Sequence, residues 1–227
     1  MIKTWHRTIF AALMLIVGAS LATSPSLADP LLVVEHWSER DPLVADGTER
    51  PLSREIIVER LLDEAQAILS GMIYGYRFEY TPSHPDRGVA EQFSVQPYAT
   101  IERGDPALEV FQTWTEKGRL YARIFYTLGS QQLAWQSGWL SGANRVSSGV
   151  GTSPFIAGPT TKIDAFEDAL RVAVRNYLRT QTFNRPRRAT GAILVKESPT
   201  FRVVAGNYEA HVEILLQIDR LESYEVF

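Results

Sequence analysis

Apolar residues recur along this chain at two periods, and the changes between them mark the elements. From Ser53 the period is helical. Ile57, Leu61, Ala65, Ile68, Leu69 and Met72 fall on one stripe, Ser53 can cap its start, Glu55 and Glu59 sit near the positive end, and Gly71 offers a stop. The period then drops to two: Tyr74, Tyr76, Phe78 and Tyr80 share one face of a strand, with Gly75, Arg77 and Glu79 on the other. Pro82 and Pro85 end that strand in a polar loop over 81–88, and a second strand is expected over 92–101. Leu108 to Trp114 and Arg119 to Thr127 form the clearest hairpin, joined by Thr115-Glu116-Lys117-Gly118. A short apolar run, Asp29 to Trp37, adds a first strand.

Residues 141–161 break the pattern with four Gly, four Ser, three Thr and two Pro, a composition that favours a linker or loop. Beyond it, Thr161 and Asp164 resemble a capping box opening a second helix to about Thr180. Its stripe is Ile163, Phe166, Leu170, Ala173, Val174 and Tyr177. Strands follow at Ala192–Glu197, Phe201–Ala205 and Tyr208–Asp219, the last with Tyr208, Ala210, Val212, Ile214, Leu216 and Ile218 on one face.

This order predicts an α+β fold with antiparallel sheet packed by two main helices. Residues 29–140 and 162–227 each read as a helix followed by antiparallel strands. They form either two helix-plus-meander subdomains, packed on each other, or one continuous sheet. Cystatin-like folds share the order of the first half, an analogy of topology that implies no activity. Charge separates the halves: residues 29–140 carry 10 basic and 17 acidic side chains, and residues 141–227 carry 11 and 9.

The first 28 residues read as an export signal. Lys3, His6 and Arg7 precede a 14-residue apolar run, Ile9 to Ala22, and Ser26-Leu27-Ala28 places small residues where a signal peptidase requires them, with cleavage expected before Asp29. In helix that run spans about 21 Å, short of the ~30 Å hydrocarbon core. With no cysteine in the chain, neither a lipid anchor at the cleavage point nor a disulfide is available. Glu225 and Ser223 share the face of Phe227, which does not suit the closing strand of an outer-membrane barrel. The expectation is an exported protein, periplasmic and not lipid-anchored, with no transmembrane segment after cleavage.

Composition narrows the chemistry. At 45% apolar and 22% charged, the chain can build a core without metal or disulfide. Its net negative charge argues against nucleic acid as a partner. No nucleophile elbow, zinc-protease motif, P-loop or dinucleotide fingerprint occurs, so no cofactor and no metal site is expected. His211 lies between Glu209 and Glu213 on one strand face, a spacing too wide for all three to bind one ion. His84 lies in Ser83-His84-Pro85-Asp86, where a locally bonded turn is the plainer reading, and His36 carries no specific signal.

The most coherent polar feature is basic. Arg171, Arg175 and Arg179 repeat every four residues on the second helix, and Arg185, Arg187 and Arg188 follow. They read as an anion-docking edge; the competing explanation is that Glu167 pairs with Arg171 and the arginines answer the helix dipole. Trp135 and Trp139, in a glycine-rich segment, are candidate exposed aromatic contacts. The leading expectation is an exported, non-catalytic binding or scaffold protein of the cell envelope, recognising a protein or an anionic component through its basic edge and a sheet face. The alternatives are an envelope hydrolase or transferase drawing on Glu79, Asp86, Glu197, Glu209 or Glu213, and a small-ligand carrier with a pocket lined by Tyr76, Phe78 and Phe125.

Overall fold

The computed structural model describes residues 30–40, 52–142, 144–157, 161–181 and 185–224; the expected signal segment and cleavage point lie outside them. Within them the chain is α+β and antiparallel throughout. The elements are β1 (Leu31–Glu39), α1 (Arg54–Ile73), β2 (Tyr76–Thr81), β3 (Gln92–Pro97), β4 (Leu108–Glu116), β5 (Arg119–Thr127), α2 (Ser130–Ser141), β6 (Arg145–Pro154), α3 (Thr161–Gln181), β7 (Arg188–Val195), β8 (Thr200–Val204) and β9 (Asn207–Glu222).

Two sheets form. One has the order β1-β5-β4; the other runs β3-β2-β7-β9-β6, with β8 also paired to β9. The expected hairpin is present, but it pairs with β1 rather than with β2 and β3. Strand β2 instead pairs with β7 and carries β3 on its other edge, so the six-stranded sheet draws on residues from both sides of 141. Helix α1 lies between the sheets, touching β1 and β5 on one side and β7 on the other, while α3 packs on β6 and β9.

Local chemistry explains most boundaries. The Ser53 hydroxyl accepts a hydrogen bond from the Ile56 amide and starts α1. Tyr74 caps the end of α1 instead of opening β2, and Gly75, at φ 74°, makes the turn between them. Tyr76, Phe78 and Tyr80 then bury on one face as the alternation requires.

One expectation fails here, and one element is new. Arg145–Pro154 was expected within a linker but is strand β6, paired with β9 along its whole length. Its glycines serve a close approach: a Cβ on Gly149 or Gly151 would collide with the backbone of α3 at Ala169 and at Ala173 or Ala165. The segment Ser130–Ser141, to which the sequence pattern assigns no element, is a third helix, seated by Gln136 donating to the Met72 carbonyl at 3.0 Å.

A buried polar cluster ties the layers together. Lys162, at the start of α3, is 2% exposed; its ammonium donates to the Trp37 carbonyl at 2.5 Å. It also lies 3.4 Å from Glu64 of α1 and 3.5 Å from Glu39 of β1. The His36 imidazole and the Glu64 carboxylate share a 2.6 Å hydrogen bond. Burial pushes the His36 pKa below its ordinary value. Burial also acts to raise Glu64, but the His36 hydrogen bond and the Lys162 charge outweigh it and hold that carboxyl below the usual range. Lys and Glu are rarely this buried, and nothing in the sequence pattern singled these residues out.

Candidate functional site

The β2 strand ends at Thr81, and Pro82 prevents its continuation. A tight reversal follows: the His84 amide donates to Val89 at 2.9 Å around a short 3-10 turn over Pro85–Arg87, closed by Gly88 at φ 67°. This returns the chain so that Glu91 stands beside Tyr80, whose hydroxyl donates to it at 2.6 Å. The last turns of α3 lie alongside, and Arg185-Pro186 closes the other wall. The result is a cleft of about 320 Å³ lined by Arg175, Arg179 and Arg185, with Tyr80, Pro82, Ser83, Glu91, Leu178 and Pro186.

The six expected docking arginines are therefore divided. Arg171 is bound to Asp168 at 2.8–2.9 Å and to Glu91, so its partner is not the Glu167 expected from helical spacing. Arg188 is paired with Glu79 across the sheet. Arg175 lies 3.9 Å from Glu91, and its Nε–H is buried without a hydrogen-bond partner. Arg185 donates to the Ser83 carbonyl at 2.9 Å but meets no carboxylate among the described residues. Arg179 and Arg187 are exposed and make no ion pair among the described residues. Three arginines converge against one carboxylate, which leaves a surplus of positive charge in a partly apolar recess. Burial, with the Glu91 charge beside it, pushes the Tyr80 hydroxyl up, so it stays a neutral donor.

The aromatic candidates separate as well. Trp135 is 44% exposed, stacks edge-on with Tyr98 at 5.9 Å and donates to the Tyr74 carbonyl. Trp139 is not an exposed contact. It is 8% exposed and packs on Ala192, Leu194 and Leu215, because α2 turns that position onto the outer face of the larger sheet.

Other groupings fare differently. His211, Glu213 and Glu197 line a cleft of about 490 Å³. Within it, Glu213 is held by Lys196, and the neighbouring Glu209 is held by Arg202 and His211, each at 2.8 Å. Tyr76 and Phe78 are core residues, whereas Phe125 stacks on exposed Phe111 of the smaller sheet at 4.6 Å, so the three do not line a common cavity. A separate, mostly apolar groove of about 590 Å³ lies between α1 and β4, floored by Val58, Leu62, Leu108 and Val110. No group of three or more potential metal-ligating side chains occurs among the described residues. No helix among them is long and apolar enough to cross a membrane.

Sequence reasoning missed Glu91 and Ser83 as partners of the arginines and Pro82 as a wall of the cleft. Glu91 stands 80 residues before Arg171, and only the pairing of β2 with β7 brings the two regions together.

Comparison with known proteins adds kinship. The chain is 24% identical over 213 residues to an uncharacterized protein of Treponema pallidum (strain Nichols), covering 93% of this chain and 90% of that one. No solved structure matches it. A protein-family model matches residues 20–224, so the chain belongs to the family which that model defines.

Proposed function

We propose that the protein is an exported, non-catalytic module of the cell envelope that holds an anionic group, of phosphate or carboxylate type, in the cleft between the end of α3 and the turn after β2. The observation that carries this reading is the convergence of Arg175, Arg179 and Arg185 from two separate segments around a single carboxylate. Arginine suits the task because its planar fork of donors matches both classes of anion. Pro82, Pro186 and Leu178 give the recess apolar walls, where a charge-assisted hydrogen bond is less diluted by water than on an open surface.

The test is retention of the purified protein on vesicles of phosphatidylcholine with phosphatidylglycerol, against phosphatidylcholine alone. Replacing Arg179 and Arg185 together by Ala removes two charge-assisted contacts, each contributing about 1.5–3 kcal/mol. Retention on the anionic vesicles is expected to fall at least tenfold, with far-UV circular dichroism unchanged. Equal retention of the variant and the parent refutes the reading.

The carrier alternative is supported by the 590 Å³ groove beside α1, which lies within the usual size range of small-molecule sites.

A further inference from the structure

We propose that Lys162 and Glu39 condense within the folded protein, forming an intramolecular amide between Nζ and Cδ that fastens the start of α3 to the end of β1. The arrangement supplies each part that such a step needs. The nucleophile is 2% exposed, with its ammonium 4.0 Å from the Trp37 ring centroid and 5.3 Å from that of Tyr208. The electrophile is 5% exposed, and one of its carboxylate oxygens, Oε1, is buried with no hydrogen-bond partner. The other, Oε2, stands 3.5 Å from Nζ. Burial, with the Glu39 charge acting in the same direction, pushes the Tyr208 hydroxyl up. Glu64 lies 3.4 Å from Nζ on another side and is backed by His36 at 2.6 Å.

The chemistry balances without any added reagent. One Nζ proton passes to Glu64, and the freed amine lone pair attacks Glu39 Cδ, leaving the charge on the two carboxylate oxygens. The C–O bond then breaks. The departing oxygen takes the proton held by Glu64 and a second one from nitrogen, and leaves as water. Glu64 ends as it began, so it acts as a relay. In free solution an ammonium and a carboxylate do not condense appreciably, but well-oriented groups in one molecule reach effective molarities of about 10⁵–10⁸ M. A water-poor site also disfavours the reverse hydrolysis.

The bond would link residues far apart in sequence, restricting the unfolded chain as a disulfide does, in a protein that has no cysteine. No charged pair would then remain buried between Lys162 and Glu39, which removes part of the desolvation cost that such pairs carry.

The experiment is the denatured intact mass of the purified protein, its N-terminus fixed by sequencing, followed by proteolytic mapping. The expected mass is lighter than the sequence by one water, with a branched peptide joining residues 39 and 162. Lys162→Arg is expected at full mass. Glu64→Gln, folded by circular dichroism, is also expected at full mass because it lacks the relay. A wild-type protein at full mass overturns the proposal even if the variants fail to fold. A loss of water mapped to other residues overturns it as well.

Discussion

Replacing Gly151 by Ala tests whether β6 owes its glycines to the neighbouring helix. A methyl group there would fall against Ala169 N and Ala165 O of α3 and 2.5 Å from the Asp168 carbonyl carbon. Ordinary contacts begin near 3.4 Å, and the obstructing atoms are helix backbone, which cannot turn aside as a side chain can. The helix must retreat by about 1 Å. A gap of about 0.5–1 Å already forfeits a quarter to a half of each dispersion contact. The face affected is the one that carries the buried Ala165, Ala169 and Ala173. It also carries the hydrogen bonds from Ser147 to Ala173 O at 2.7 Å and from Asn176 to Ser148 O at 3.0 Å. Overpacking of this kind costs about 1–3 kcal/mol, and the backbone contacts place Gly151→Ala at the upper end. For a chain of this size that lowers Tm by about 6–12 °C. Gly149→Ala meets Ala169 O and Ala173 N and is expected to behave alike. The double variant should cost less than the sum, since both methyls push the same helix. Gly138, in α2, is the control: a Cβ there meets nothing within 4 Å, so Gly138→Ala should stabilise by about 0.5–1 kcal/mol. Urea unfolding followed by far-UV circular dichroism reads all four. A Gly151→Ala protein within about 0.5 kcal/mol of the parent refutes the argument.

Two further outcomes follow from charge. Glu91 is the carboxylate built into the proposed cleft, where it contacts Arg171 and lies near Arg175, so it competes with an incoming anion. Glu91→Gln keeps an acceptor for Tyr80 and is expected to raise retention on anionic vesicles about two- to fivefold at low salt, an advantage that shrinks as salt screens the site; reduced retention would contradict it. The second outcome concerns pH. His36 and Glu64 both have folded-state pKa values below their ordinary 6.5 and 4.5. The unfolded chain therefore binds more protons than the folded one, so the stability these groups contribute is fully present above pH 6.5 and is lost as pH falls through that value and then through 4.5. Urea midpoints at pH 7, 5.5 and 4 should decline in that order, and a midpoint that rises toward pH 5.5 would show the sign to be wrong.

Elements governed by their own sequence were legible. Helix α1 carries its cap in Ser53, and β9 shows its alternation over Tyr208–Leu216, because one buried face dictates each period. Elements governed by a neighbour were not. In β6, Gly149 and Gly151 resemble linker glycines in composition, yet they matter for the side chain they lack. Their counterpart was present in α3 as Ala165, Ala169 and Ala173, spaced by four on one helix face, but only proximity gives that stripe its meaning. Helix α2 was hidden by Gly129 and Gly138, which lower local propensity, while its packing comes from Gln136 and Trp139 against distant elements. For the candidate site, the six arginines stood out as a local excess. Which of them remain uncommitted depended on Glu79 and Glu91, both in the other half of the chain.

That last dependence gives the charge difference between the halves another meaning. An acidic stretch before residue 141 and a basic one after it look like separate bodies when read in order. In space the two charges meet: Arg171 and Arg175 face Glu91, Arg188 faces Glu79, and Lys162 faces Glu39 and Glu64. Each pair joins an early element to a late one, and the pairing of β2 with β7 carries two of these carboxylates to their partners. The asymmetry is then a record of complementary surfaces that were pressed together by folding. Arg179, Arg185 and Arg187 are what this matching leaves over, with no carboxylate from the first half against them among the described residues. Cations left without a carboxylate partner are poor aids to stability, and for Arg179 and Arg185, which line the cleft, this is the physical ground for the proposed role in holding an anion.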